Sequence, residues 1–416
     1  MKSFCRFCLM ACMAFYSVAC SDSVKLTGNE FLIEGKISGV EDGVVITLSR
    51  MQDDVGISIA SDTVRDGCFT FKEEALSNPE RMMMIARGDG FPSMYLNIWV
   101  AQGAKIKVKG EGKSFPAWEV KSSIPSQKEA NQYANKSRNI IRRIAELSTE
   151  ATDLRIKVMT DYTAAESLEH KKNIELAYRK SADSLKIIED SLRMMRIFDE
   201  IDIMEKTDIS PIWLDKMKGI SITLKYSDTN AENADNIRRK AEELYNRMSE
   251  EDKTTPTGYQ ITANLFPPIV AEVGDIMIDG SFLDINGNTK SLSDYSGKYI
   301  LLDFWSRGCG PCIMALPEMK EVSETYCDNL TIISISLDAD VVWKEAISSH
   351  DMPWVNIRDP KGYGGLAANY GVNAIPNYVI ISPEGKIIDK WEGFGKGLIK
   401  IKVSENIKNR TYGTFI

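Results

Sequence analysis

The hydrophobic positions of the chain follow three different spacings, and each spacing predicts a different kind of structure. Between residues 28 and 115, apolar and β-branched residues form short runs such as Phe31–Ile37, Val44–Leu48 and Tyr95–Val100, and clusters of Gly and Asp separate these runs. Runs of this kind are typical of strands joined by turns. Residues 28–115 are therefore predicted to form a small antiparallel β-domain.

Residues 126–258 have another composition, with few Gly or Pro and many Ala, Glu, Lys, Arg and Leu. Within Ser126–Ile201 and Ala234–Met248, the apolar residues recur at helical spacing, which predicts a helical hairpin or a small bundle. The basic cluster at Lys136–Arg143 is interpreted as a solvated helix face rather than a site for an anionic surface, because acidic residues follow it closely.

After the Pro-Pro pair at 267–268 the pattern changes to that of an α/β fold, and we place a third domain at residues 268–416. Lys298–Trp305 and Leu330–Leu337 are almost continuous apolar runs, as expected for strands that are buried on both faces. The further elements predicted here are helices at Gly310–Tyr326, Val341–Ser349 and Gly397–Ile407 and strands at Asn377–Ile381 and Lys386–Trp391. The chain is therefore predicted to be multidomain.

The N-terminus has the features of an export signal. Lys2 and Arg6 precede the apolar run Phe7–Ala19, which is too short for a membrane span but suits a signal peptide. Small residues stand directly before Cys20, as in a bacterial lipoprotein cleavage site. We predict that residues 1–19 are removed and that Cys20 is lipidated, anchoring an exported protein to a membrane of the cell envelope. The alternative is an ordinary secretory signal that is cut near Ala19.

Composition narrows the possible chemistry. The 416 residues carry a net charge of −8, which argues against a general nucleic-acid binder, since such proteins are usually basic. The whole chain contains two histidines, which argues against a metal site or a proton relay built on histidine. No organic cofactor and no metal is expected, and the candidate chemistry lies with cysteine.

Removal of the signal and lipidation would leave Cys68, Cys309, Cys312 and Cys327, too few for a disulfide scaffold in so long an exported chain. Cys68 and Cys327 are interpreted as small buried hydrophobic residues. Cys309 and Cys312 form a Cys-Gly-Pro-Cys motif between a buried strand and a helix. A lone pair of this spacing could also be half a zinc site or a structural bridge, but zinc needs more ligands than the chain offers nearby.

The position of the motif favours redox chemistry. Cys309 stands where a helix begins, and backbone N–H groups and the helix dipole stabilise an anion there. The thiolate is the nucleophile in disulfide exchange, and Cys312, one turn later, could resolve a mixed disulfide formed at Cys309. Pro311 suits the first helical turn, where its missing N–H costs nothing.

Residues 270–410 resemble the thioredoxin superfamily, in particular the membrane-tethered, extracytoplasmic reductases of the TlpA/ResA type. The resemblance rests on Phe304-Trp305, Cys-Gly-Pro-Cys at 309–312, Pro317, Ile375-Pro376 and Trp391-Glu-Gly393. It implies a thioredoxin fold for this region. Residues 28–115 in turn resemble an antiparallel β-sandwich of unknown function that often precedes thioredoxin domains in exported lipoproteins.

The same resemblance implies roles for individual residues. Pro376 would follow a cis peptide bond that faces the dithiol and pairs with a substrate strand. The substrate-facing rim would comprise Trp305, Gly308, Pro311 and Ile375. Asp303 corresponds to a buried acid beneath the dithiol, where it would have a raised pKa and exchange the proton of Cys312. The alternative is an Asp at a strand end that is bonded to backbone or water.

Two positions depart from the family pattern. Gly308 stands where thioredoxins usually have Trp, so the rim is expected to be flatter. Ala315 stands where many TlpA-like chains have Glu, and Glu318 is not expected to replace that residue.

The leading hypothesis is a protein-disulfide reductase that serves cytochrome c maturation or disulfide control in the envelope, with disulfide-bearing proteins as substrates and a membrane thiol-electron carrier as reductant. One alternative is a thiol peroxidase with an antioxidant role. Ser306 suits the motif of such enzymes, but Leu302 stands where they have Pro. The other alternative is a lipoprotein that binds a partner or a glycan and keeps a vestigial redox domain.

Overall fold

The computed structural model describes residues 25–52, 55–226 and 232–411. The predicted signal segment 1–19 and the predicted lipidation site Cys20 lie outside the described residues. Among the described residues, no helix is long and apolar enough to cross a membrane.

The N-terminal part consists of two four-stranded sheets that enclose one hydrophobic core. One sheet has the strand order β4-β1-β7-β8 and the other β3-β2-β5-β6. The alternation of a half-buried strand is clear at Met82, Met83 and Met84, of which the first and third are fully buried and the second is partly exposed. The strands are β1 Glu30–Ser38, β2 Val45–Gln52, β3 Val55–Thr63, β4 Cys68–Glu74, β5 Glu80–Arg87, β6 Leu96–Val100, β7 Lys105–Glu111 and β8 Glu119–Lys121.

The middle part is helical, and the long helices α2 and α3 pack against each other as a hairpin. A core around the fully buried Trp213 joins the end of α3 to the shorter helices. The helices are α1 Pro125–Lys136, α2 Arg138–Ala164, α3 Leu168–Met204, α4 Pro211–Tyr226, α5 Glu232–Tyr245, α6 Glu250–Lys253 and α7 Pro256–Leu265. Helix α7 continues past residue 258, where the predicted helical region ends, because Pro256 in its first turn starts a helix rather than ending one.

The C-terminal part is a seven-stranded sheet with the order β10-β9-β13-β12-β11-β14-β15. Strand β11 lies near the centre, parallel to β12 and antiparallel to β14. The strands are β9 Phe282–Asp284, β10 Thr289–Lys290, β11 Tyr299–Trp305, β12 Leu330–Ser336, β13 Val355–Arg358, β14 Asn377–Ile381 and β15 Ile387–Glu392. The helices are α8 Gly310–Thr325, α9 Asp340–Ser349, α10 Leu366–Asn369 and α11 Leu398–Thr411.

The helical part and the C-terminal part touch at a close backbone contact. Helix α7 packs against the short 3-10 turn Gly362–Gly364. A Cβ added at Gly364 would lie 2.2 Å from the carbonyl carbon of Tyr259, so only glycine fits there. Nearby, the Nζ of Lys361 lies 5.1 Å from the centre of the Tyr259 ring.

Candidate active site

The Cys309–Cys312 pair lies where β11 leads into α8. Cys309 is the N-cap of α8, and its Sγ accepts a hydrogen bond of 3.1 Å from the backbone N–H of Cys312. The two cysteines are disulfide-bonded, with Cα atoms 5.2 Å apart. Cys309 is half-buried, whereas Cys312 is 3% exposed. A partner molecule can therefore reach the sulfur of Cys309 far more easily than that of Cys312.

The turn before the dithiol is fixed to the carboxyl ends of the neighbouring strands. The backbone N–H of Arg307 donates to Asp338 Oδ2 at 2.8 Å, and the hydroxyl of Ser336 donates to the same oxygen at 3.2 Å. Arg358, at the end of β13, donates from Nε to the backbone oxygen of Asp338 at 3.1 Å. Asp338 therefore ties the dithiol turn to β12 and β13. Sequence reasoning missed Asp338, although its place directly after a buried strand was a usable signal.

Asp303 lies on β11, on the face of the sheet that α8 covers. Leu301 and Trp305 share that face, since alternate residues of a strand point the same way, and they pack with Met319 and Cys312 of α8 respectively. Asp303 is 4% exposed, and its Oδ2 accepts a hydrogen bond of 2.7 Å from the hydroxyl of Ser334. It therefore lies beneath the first turns of the helix that carries the dithiol.

The surroundings of Asp303 favour the protonated carboxyl. Burial raises the pKa of Asp303 from 3.8 to about 7, and the Ser334 hydrogen bond opposes that rise. The Ser334 hydroxyl is itself held by the indole N–H of Trp354, which donates to it at 2.8 Å. Trp354 and Ser334 thus fix the orientation of the acid, and sequence reasoning named neither of them.

The peptide bond between Ile375 and Pro376 is cis. Phe304 pairs with Asn377 between β11 and β14, so the segment 375–376 lies at the same edge of the sheet as the dithiol turn. Ile375 and Cys309 both pack against the buried cluster that contains Cys312. The backbone oxygen of Pro376 accepts from the N–H of Gly393 at 2.8 Å.

The predicted rim is only partly at the surface. Gly308 and Pro311 are exposed, and Ile375 is half-buried. Trp305 is 1% exposed, inside a cluster with Trp343 and Met352, so its assignment to the rim is wrong. The cause is that Trp305 is the last residue of β11 and points beneath α8.

Glu318 binds the start of the last helix rather than the dithiol. It is 8% exposed, and its carboxylate oxygens accept the backbone N–H groups of Gly397 at 2.8 Å and Lys400 at 2.9 Å. Glu318 therefore caps the N-terminus of α11. Ala315, where many TlpA-like chains have Glu, is buried against Met319 and Leu301.

Cys68 and Cys327, the other two cysteines in the described part of the chain, are not linked to each other. Cys68 is half-buried and Cys327 is exposed, so the interpretation of Cys327 as a buried hydrophobic residue is wrong. Cys327 falls just after the end of α8, in the turn before β12. Among the described residues, no group of three or more His, Cys, Asp or Glu side chains is arranged to hold a metal ion.

The C-terminal region has recognisable relatives. Residues 273–390 match the sequence profile of the AhpC/TSA family. The thioredoxin-like protein YneN of Bacillus subtilis is 28% identical over 115 residues, which span 27% of this chain and 66% of YneN. The C-terminal region is a thioredoxin-like domain.

The thioredoxin-like domain is also similar to a named oxidoreductase. The thiol-disulfide oxidoreductase ResA of Bacillus thuringiensis is 31% identical over 112 residues, or 26% of this chain and 64% of ResA. The chain therefore spans just under two thirds of the length of these curated relatives.

Two solved structures resemble the same domain. The thioredoxin domain of a thiol-disulfide oxidoreductase from Bacteroides vulgatus is 28% identical, with a TM-score of 0.30, and the match covers 32% of this chain and 97% of that one. The pneumococcal exposed lipoprotein thioredoxin of Streptococcus pneumoniae is 27% identical, with a TM-score of 0.28, and the match covers 31% of this chain and 99% of that one.

Proposed function

We propose that this protein is an extracytoplasmic thiol-disulfide oxidoreductase that reduces protein disulfides through Cys309 and Cys312. The observation that carries the proposal is the unequal exposure of the two sulfurs at the start of α8, with Cys309 reachable and Cys312 buried behind it. An exposed thiolate at a helix N-terminus attacks, and a buried thiol one turn later resolves. The similarity to ResA supports the same class of reaction.

In the reductive direction the chain begins as a dithiol. The Cys309 thiolate attacks one sulfur of the substrate disulfide, forming a mixed disulfide and releasing the other substrate sulfur as a thiolate that takes up a proton. Cys312 then loses its proton and attacks Cys309, which releases the second substrate thiol. Two electrons pass to the substrate, and the enzyme is left with the Cys309–Cys312 disulfide.

Asp303 is proposed as the group that accepts the proton of Cys312. It lies on the face of β11 beneath the first turns of α8, and burial raises its pKa to about 7. An acid whose pKa lies near the working pH can both accept and return a proton. The backbone of the Ile375-Pro376 segment, at the same edge of the sheet, is proposed to pair with the incoming substrate strand.

The setting is proposed to be the cell envelope. The support is the N-terminal pattern of positive charge, apolar run and small residues before Cys20. An exported reductant must be reduced again after each turnover, so we propose a membrane thiol-electron carrier as the donor. Apocytochrome c and wrongly paired disulfides are the substrate classes that fit this setting.

The test uses two cysteine variants and a disulfide-bearing peptide. Cys312→Ser is expected to accumulate a mixed disulfide with the peptide, visible as a mass increase that dithiothreitol reverses, whereas Cys309→Ser is expected to form none. Trapping through Cys312 instead would overturn the assignment of the nucleophile. Rapid reduction of hydrogen peroxide with no action on the peptide would favour the thiol peroxidase.

A further inference from the structure

The dithiol turn forms part of the wall of a large cleft. Ser306 and Gly308 line it from the thioredoxin-like domain, Gln260 lines it from the helical part, and Trp99 lines it from the β-sandwich. Its volume is about 1420 Å³. Sites for small molecules usually enclose about 300–1,000 Å³, so this cleft has room for a segment of polypeptide beside Gly308, the residue before Cys309.

The lining of the cleft is basic in a chain that is acidic as a whole. Eight Lys or Arg residues line it, against the four acids Glu200, Asp215, Asp338 and Asp359, whereas the complete chain has a net charge of −8. The lining therefore has a formal charge of +4, the difference between eight and four. A local excess of one sign attracts ligands of the other sign and orients them.

Ion pairs offset part of that charge, since Arg81 pairs with Asp215 at 3.1 Å and Arg193 pairs with Glu189, which lies outside the lining. Glu200 is 5% exposed and binds both Arg196 and Lys216, so one carboxylate faces two cations. Asp359 is also 5% exposed, and its oxygens accept the backbone N–H groups of Lys361 and Leu366. Both carboxylates are turned into the protein.

Two guanidinium groups in the wall are held by neutral acceptors. Arg138, at the start of α2, donates to the backbone oxygen of Ala117 at 2.6 Å and to the side-chain oxygen of Asn135. Arg358, beside the dithiol turn, donates to the backbone oxygen of Asp338. Its positive charge also lies close enough to the Asp359 carboxylate to oppose the rise that burial causes in the pKa of Asp359. Hydrogen bonds to neutral groups fix a guanidinium group without cancelling its charge.

We propose that this cleft binds an acidic segment of the substrate protein and thereby presents its disulfide to Cys309. The proposal rests on the proposed oxidoreductase function and names the substrate class for that same site. The acidic segment lies along the wall formed by the helical part and the β-sandwich, and the disulfide reaches the turn at Gly308. Electrostatic attraction of this kind acts mainly on the rate of association and weakens with added salt.

The test is made with the full chain in its reduced form and three disulfides. Two peptides share one cystine loop and differ only in flanks of four Asp or four Lys residues, and the third substrate is the small neutral hydroxyethyl disulfide. We expect kcat/KM for the Asp peptide to exceed that for the Lys peptide by about tenfold or more at low salt. The ratio should fall towards one as ionic strength rises.

The three substrates separate the two proposals. Equal reduction of both peptides, with hydroxyethyl disulfide also reduced, keeps the oxidoreductase and overturns the acidic-segment proposal. A preference for the Lys peptide overturns it as well. Failure to reduce any of the three overturns the proposed function itself.

Matched variants locate the preference in the cleft. Arg138→Gln with Arg358→Gln is expected to lower the Asp:Lys ratio about threefold or more. Lys157→Gln with Arg179→Gln removes the same charge from side chains that are 71% and 70% exposed and lie outside the cleft lining, and it should leave the ratio unchanged. An equal effect of both pairs, or no effect of the cleft pair, contradicts the proposal. If the cleft pair does not fold, the salt dependence of the unaltered chain decides.

Discussion

Ser334 on β12 donates a hydrogen bond of 2.7 Å to the carboxyl of Asp303 on β11, and both side chains are buried beneath the helix that carries the dithiol. The hydroxyl supports the charged form of the acid, while the apolar surroundings disfavour it, and burial is the larger effect. The pair therefore places beneath Cys312 an acid whose pKa is about 7.

The raised pKa of Asp303 makes the stability of the fold depend on pH. Because the pKa rises from 3.8 to about 7 on folding, the folded chain binds this proton more tightly than the unfolded chain. The ionised carboxylate thus destabilises the fold, by an amount that grows as pH rises from about 4 to about 7 and is complete above that. Below about pH 4 the carboxyl is protonated in both the folded and the unfolded chain, so this destabilisation is absent.

Asp303→Asn removes the destabilisation that the ionised carboxylate causes, because an amide does not ionise. We expect the variant to raise the free energy of unfolding of the oxidised chain by about 2–4 kcal/mol near pH 8, and to leave it almost unchanged near pH 4. Urea unfolding at both values measures the difference. Equal effects at both values would mean that the carboxyl is not protonated preferentially in the folded chain.

Ser334→Ala is expected to raise the pKa of Asp303 further, because the variant loses a hydrogen bond that stabilises the carboxylate. The pH dependence of disulfide reduction should then shift towards alkaline values relative to the unaltered chain. Ser336→Ala changes a neighbouring buried hydroxyl that contacts Asp338 instead, and it is the control. An identical shift in both variants would speak against a specific role of the Ser334–Asp303 pair.

Asp338→Ala should loosen the dithiol turn. The substitution leaves the backbone N–H of Arg307 without its carboxylate acceptor, and the loss of such a partly buried hydrogen bond to a charged group costs about 1–3 kcal/mol. The control is Asp340→Ala, which removes an exposed ion pair with Lys344 and is expected to cost less than about 1 kcal/mol. Urea unfolding of both oxidised variants measures the two costs, and equal costs would contradict the anchoring role of Asp338.

Gly364→Ala should disturb the contact between the helical part and the thioredoxin-like domain. The added Cβ would meet the backbone of Tyr259 at 2.2 Å, and relieving such an overlap costs about 1–3 kcal/mol of stability. Gly219→Ala, inside α4 with no atom within 4 Å of the added Cβ, should instead stabilise the chain by up to about 1 kcal/mol. Destabilisation of equal size in both variants would contradict this close contact.

The local elements were the most predictable part of the structure. Strand β11 and helix α8 begin and end within a residue or two of the predicted positions, since a continuous apolar run and a Pro in the first helical turn are signals carried by neighbouring residues. The alternate burial of Met82 and Met84 follows from the same kind of local pattern. The thioredoxin-like fold itself was implied by the resemblance of residues 270–410, and the AhpC/TSA match agrees with it.

The contacts that hold the site together were not predictable in this way. Ser334 and Asp338 lie 31 residues after the groups that they bind, and only the parallel register of β11 and β12 brings them there. Strand β13 was missed because its four residues carry no strong apolar run. Trp305 was placed on the rim because the sequence does not show that α8 covers the end of β11. The division into domains stays a prediction.

The reduction potential of the Cys309–Cys312 pair, measured on the full chain equilibrated with defined thiol buffers, tests the proposed reductase most directly. The account predicts a value of about −250 mV or lower, in the range of reducing thioredoxins. A value near about −120 mV, the range of strong oxidants, would mean that the chain donates disulfides and would contradict the account.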